Sequence, residues 1–172
     1  MKTSSKLFVL GMLLMGFGVS ANAQVTASAS STATIVTPIG ITKDVNMNFG
    51  NVAVSATAGS VVLTPAGTRS IEGGTTLPNV AGTVTAASFS VVGQANYTYI
   101  ITLPTSDLTL TRTGFTETMV VNAFTSAPSG TGALSGAGAQ TLTVGATLNV
   151  SANQVAGVYT TVTPFDVTVN YN

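Results

Sequence analysis

The chain has 172 residues, a formal net charge of zero, five basic and five acidic side chains, and no His, Cys or Trp. That inventory excludes a His-based catalytic triad, a Cys nucleophile, a His/Cys zinc centre and any disulfide. The few cations are scattered, which excludes counterion-releasing contact with nucleic acid and a polybasic membrane patch.

Lys2 and Lys6 precede an apolar run from Leu7 to Val19, and "ANA" (Ala21 to Ala23) follows as a small-residue cleavage site. This reads as a secretory signal peptide over residues 1–23. The run is shorter than the ~20 residues that span a bilayer, so no membrane anchor is expected in the mature chain. Cleavage after Ala23 leaves 149 residues, with Lys43, Arg69 and Arg112 against Asp44, Glu72, Asp107, Glu117 and Asp166, a net charge of −2. Stability must then come from burial and sheet hydrogen bonds, beneath a surface of Thr, Ser, Asn and Gly. The expected organisation is an N-terminal extension over residues 24–36 and one β-sandwich domain over residues 37–172.

No 3.6-residue apolar stripe persists after the signal peptide. Short β-branched runs cut by Gly, Pro and Asn predict an all-β antiparallel sandwich. "VTASASSTATIV" alternates through Val25, Ala27, Ala29, Ala33 and Ile35. "PIGITKDVNMNFG" carries Ile39 and Ile41, then Val45, Met47 and Phe49. "GSVVLTP" and "GTRSIE" flank a turn at Pro65 to Gly67. "AASFSVVG" places Phe89 and Val91 on one face, and "YTYIITLP" does the same for Tyr97, Tyr99, Ile101 and Leu103. "LTLTR" precedes "ETMVVNAFT", whose inward residues are Met119, Val121 and Ala123. "APSGTGALSGAGA" reads as a Gly/Ser loop. "QTLTVGATLNV" turns Leu142, Val144, Leu148 and Val150 to one face, with a bulge or bend at Gly145.

The closing run, "GVYTTVTPFDVTVNYN", reads as one long strand with internal punctuation. Phe165, Val167, Val169 and Tyr171 are apolar at odd positions beyond Pro164, whereas Val158 and Val162 lie on the even side before it. A phase change near Thr163-Pro164 is expected there. Proline removes a ladder donor and is confined to edges, strand starts and bulges, so part of this strand should lie at an edge or change sheet.

Nothing in the chain assembles a catalytic site. The five carboxylates sit beside turns or on polar strand faces, and Ser and Thr lack an activating base. Asp44, Asn46 and Asn48 have the spacing of a calcium loop, but Phe49 stands where that loop needs Gly and Ser55 where it needs Glu. Strand alternation accounts for the same spacing. "SGTGALSGAGA" has no Lys-Ser/Thr and no helix after it to hold a phosphate. We therefore expect no enzyme, no catalytic residue, no metal and no cofactor.

The two ends carry the remaining signal. "QVTASASSTATIV" alternates apolar and hydroxyl residues without charge, Gly or Pro, a segment prepared to enter a sheet. "GVYTTVTPFDVTVNYN" resembles the C-terminus of bacterial chaperone–usher pilins and related spore-coat-type secreted subunits, through Gly157, Tyr159, Val167, Val169 and the penultimate Tyr171. The order "ATIVTPIGI…NMNFGNV", "QTLTVGATLNV", "GVYTTVTPFDVTVNY" is also similar to a family of secreted bacterial β-sandwich proteins without an assigned function, over most of residues 33–171. The pilin resemblance implies an immunoglobulin-like sandwich that lacks its last strand and is completed by a donor strand. It implies a fimbrial or surface-polymer subunit, exported to the periplasm and then to the cell surface. The partners implied are copies of itself or related subunits, a periplasmic chaperone and an outer-membrane usher. Phe165, Val167, Val169 and Tyr171 would border the acceptor groove, and Val25, Ala27, Ala29, Ala33 and Ile35 would be the donor residues. Many pilins carry a disulfide that this chain lacks, and its donor side chains are small. Two other readings stay open: a closed sandwich in which Val25 to Ile35 is the domain's own first strand, and a self-contained secreted binding or adhesion module.

Overall fold

A computed structural model describes residues 23–172. The expected signal peptide, apart from Ala23, lies outside them. The chain divides into two units, one ending at Thr34 and one from Ile35 to Asn172. In the first, Ala23 to Thr34 form no strand and are exposed. The second is all-β, with no helix among the described residues and every ladder antiparallel.

Thirteen strands follow in order: β1 (Gly40–Val45), β2 (Asn48–Phe49), β3 (Gly59–Leu63), β4 (Arg69–Gly73), β5 (Val84–Thr85), β6 (Ala87–Val92), β7 (Thr98–Thr102), β8 (Leu108–Arg112), β9 (Thr118–Ala127), β10 (Thr131–Ala133), β11 (Ala139–Val150), β12 (Tyr159–Thr161) and β13 (Thr168–Tyr171). The main sheet runs β1-β6-β11-β9-β8-β12, with β3 and β4 joined to β11; a second sheet is β10-β7-β13, and β2 pairs with β5. The sheets form a curled, sandwich-like arrangement consistent with an immunoglobulin-like β-sandwich.

β11 is the spine. Its first half, Ala139 to Val144, pairs with β6, and its second half, Ala146 to Val150, pairs with β3 on the same edge. Gly145 lies where one partner gives way to the other, and the β9 register shifts between Gly145 and Thr147. A Cβ added there would run into the Leu63 carbonyl oxygen, so only glycine lets β3 come this close. The irregularity expected at Gly145 lies opposite it instead: from Gly145 to Thr147 β11 advances two residues while β9 advances three, from Thr125 to Asn122.

The core falls into two clusters strung along β11. The first joins Ala87, Phe89, Val91, Leu142 and Val144 of the main sheet to Tyr99, Ile101 and Val169 of the second sheet, with Leu134. The second gathers Phe49, Val61, Leu63, Met119, Val121, Ala146, Leu148 and Val150. Period-two alternation supplies both, because successive side chains of a strand point to opposite faces.

Three sequence expectations need correction. The Gly/Ser stretch is not wholly loop: β10 lies inside it, pairs with β7, and leads into Leu134, which is 3% exposed. Gln140 Oε1 accepts from the Ala133 amide (2.9 Å) and the Tyr99 hydroxyl (2.7 Å), which fastens β10 and β7 to β11. Burial pushes the Tyr99 phenol above its ordinary pKa. Ala123 does not face inward with Met119 and Val121; it has φ +50° in the β9 irregularity and is exposed, and Phe124 packs on the core instead. The closing run is two strands rather than one: β12 pairs with β8 in the main sheet, and β13 pairs with β7 in the second. The change of sheet around Pro164 fits the expectation, but the phase change does not. Val158 and Val162 are 69% and 84% exposed, while Tyr159 and Thr161 turn inward at odd positions as Phe165 to Tyr171 do.

Candidate functional site: an open groove beside the last strand

The second sheet is short. Among the described residues β13 pairs only with β7, so its other edge carries no ladder there, and β1 likewise pairs only with β6. β1 and β13 approach each other without forming a ladder. Where the chain between β12 and β13 leaves the main sheet, the second core cluster lies under an apolar groove of about 1220 Å³. Its floor is Met119, Val121, Leu148 and Val150, and its walls include Met47, Phe49, Leu108, Leu110, Tyr159, Phe165 and Val167. The floor is tightly packed, with Val121 1% and Leu148 5% exposed, whereas Met47, Leu108, Leu110, Phe165 and Val167 are half-buried. The trough is bordered by the segment that leads into β13, Phe165 to Val167, and not by β13 itself; strand addition combines main-chain bonds at an unpaired edge with side-chain pockets of this kind.

The four residues expected at the acceptor groove therefore divide. Phe165 and Val167 line it, and Phe165 packs against Phe124 with ring centroids 5.0 Å apart. Val169 is 7% exposed and belongs to the first core cluster. Tyr171 packs against that cluster, edge-on to Tyr97 (centroids 5.6 Å apart), and its hydroxyl has a separate task. The hydroxyl accepts from the Gln94 amide (2.6 Å) and donates to the Thr37 carbonyl (2.7 Å), and the Thr37 amide donates to Gln94 Oε1 (3.2 Å). A side chain at Gly93 would collide with that hydroxyl. The last residue is held as well, because Asn172 Nδ2 donates to Thr98 Oγ1 (2.8 Å). The chain end is thus tied down on the β7 side while its outer edge stays free.

The donor residues Val25, Ala27, Ala29, Ala33 and Ile35 are all exposed and outside any strand. Val25 and Ile35 are 92% and 97% exposed. Sequence reasoning misses most of the groove: alternation puts Met47, Phe49, Met119, Val121, Leu148 and Val150 on inward faces, and it does not reveal that a groove opens beside them.

A shallower depression of about 630 Å³ lies between the segments around Asp107 and Asp166 and is lined mainly by Thr, Ser and Pro. The calcium-like Asp44, Asn46 and Asn48 have protein partners: Asp44 accepts from Ser90 (2.7 Å), Asn46 from Lys43 (2.9 Å), and Asn48 Oδ1 from the Gly50 amide (2.8 Å). Among the described residues no group of three or more acidic, His or Cys side chains is placed to hold a metal ion.

Residues 39–171 match the family model described as "Domain of unknown function (DUF4402)". No curated protein and no solved structure matches the chain, and no match links it to chaperone–usher pilins.

Proposed function

Because the chain belongs to the DUF4402 family, whose description assigns no role, we propose from its geometry that it is a non-catalytic structural subunit. It would belong to an extracellular fimbria or surface polymer assembled by donor-strand exchange. The observation that carries this reading is the groove: an apolar trough bordered by Phe165 and Val167, the segment that leads into the last strand, in a chain whose strand-patterned residues 24–36 form no strand. Gln24 to Val36 of one copy would enter the groove of the next. Thirteen extended residues reach about 40 Å, and the stretch from Phe165 to Tyr171 about 20 Å, so the segment has length to spare. Covering Val25 and Ile35 would contribute about 1.5–3 kcal/mol each, and each alanine about 0.8 kcal/mol. Affinity would rest on the main-chain ladder and the larger end residues.

The signal peptide read from the sequence supports export. In this reading a periplasmic chaperone covers the groove in transit, an outer-membrane usher releases the subunit, and further copies or related subunits replace the chaperone at the cell surface. The test is to delete Gln24 to Val36 and examine surface extracts by electron microscopy and unheated SDS gels. The full chain should give filaments and ladders that heat dissociates, and the deletion should give monomers. A truncated chain that still polymerises would overturn the reading.

A further inference from the structure

A segment tethered to its own groove has an advantage that polymerisation must overcome. An intramolecular strand acts at effective concentrations of about millimolar, so against subunits at micromolar concentration it would win by about a thousandfold. Polymer assembly through residues 24–36 therefore requires that a subunit's own segment be kept out of its own groove. The direction of the strands shows what self-closure would demand. Thr37 sits at the Tyr171 end of β13, whereas Ile41, Lys43 and Val45 share the groove with Phe165 and Val167. β1 thus runs antiparallel to β13. A segment folding back between them would have to reverse at Thr37-Pro38 and form a hairpin with β1.

The local chemistry opposes that hairpin. Two-residue hairpin turns need positive φ at the first central residue, and type I′ at both. Proline fixes φ near −65° and biases the residue before it to extended conformations. Thr37 is β-branched and is not among the residues with positive φ. A longer reversing loop that included Thr37 would have to withdraw it from its bonds to Tyr171 and Gln94. We infer that the Tyr171 hydroxyl, with Gln94 and Pro38, is a positioning clamp that denies the N-terminal segment its own groove and leaves it for a second copy. The inference rests on the donor-strand reading for its purpose, but its structural content can be tested on the monomer.

The experiment uses the mature full-length chain, refolded as monomer. Hydrogen exchange and limited proteolysis report on residues 24–36, and unheated SDS gels report on assembly. Wild type should show an unprotected segment as monomer and build a ladder. Thr37→Asn with Pro38→Gly installs an Asn-Gly turn; it should protect the segment in the monomer and slow ladder growth by about tenfold or more as self-closure competes. Tyr171→Phe, which keeps the ring, should shift both readouts in the same direction by a smaller factor. An already protected wild-type segment, or a double variant whose segment stays unprotected, would overturn the clamp. So would a Tyr171→Phe chain that loses stability without any gain in segment protection. If the wild type builds no ladder, the polymer reading fails, and the protection contrast still decides the clamp.

Discussion

The two halves of the sandwich are built from the same strand, β11, yet end differently. Around Leu142 and Val144 the main sheet is roofed by β7 and β13, and Tyr99, Ile101 and Val169 close the core. Around Leu148 and Val150 the roof is β2 and connecting segments, and a groove remains. The apolar content of the two floors is alike, so the difference lies in the span of the second sheet. β13 begins only at Thr168, after Pro164 has taken the chain out of the main sheet. The second half therefore keeps a groove whose floor is buried and whose walls at Met47, Leu108, Leu110, Phe165 and Val167 are only half-buried.

The largest effect should come from treating the two halves alike. Leu142→Ala, in the roofed half and fully buried, should cost about 2–5 kcal/mol. Leu110→Ala, on the half-buried groove wall, should cost about 1 kcal/mol, because part of its surface already meets solvent. Denaturant titrations of the two variants compare the halves directly, and equal losses would mean that the groove is closed in solution. The next test fills the groove from outside. A peptide of residues 24–36, added to the chain lacking them, should raise stability by about 2.7 kcal/mol at a hundredfold excess over its Kd. Thermal melts at rising peptide concentration measure this, and Val121→Lys at the groove floor should abolish the shift in whatever stable fraction folds. Tyr171→Phe should cost about 1–2 kcal/mol for its two hydrogen bonds, read by the same melts, with hydrogen exchange rising first at Gln94.

The sequence made one half of this comparison far easier to read than the other. Phe89, Val91, Tyr99, Ile101, Leu142 and Val144 were placed inward by alternation, and all are buried. The reason is local: a strand that meets a sheet on its inner face must turn apolar residues to it. What covers that face is set by long-range pairing, which no run of residues carries within itself. β10 stayed hidden because Thr-Gly-Ala has weak strand propensity and pairs only by courtesy of β7 and Gln140. Val158 and Val162 mislead because they flank the three-residue β12 and lie in solvent, so apolarity marks the outward side of this stretch. Pro164 was legible because its missing donor is a property of the residue itself.

The smallest predicted effect lies at the β8–β9 turn, away from the groove. Hydrogen bonding from its own backbone amide, aided by the Arg112 guanidinium (3.1 Å), holds the Glu117 carboxyl below the ordinary glutamate value despite some desolvation. A depressed folded pKa adds stability that is complete above the ordinary value of about 4.3 and is lost as pH falls through the folded value. The side chain is 35% exposed and screened by solvent, so the acid loss should be slight. Tm measured against pH should show a flatter acid limb in Glu117→Gln, with no change in peptide binding.

β11 also bears on how the molecule comes apart. Leu142 and Val144 belong to one core cluster and Ala146, Leu148 and Val150 to the other, on one unbroken backbone, and Phe124 packs against both. Neither half can melt while its neighbour keeps this strand in place. The domain should therefore unfold in a single calorimetric transition, with equal van't Hoff and calorimetric enthalpies. A substitution at the groove should then lower the stability of the whole domain rather than fray one end of it.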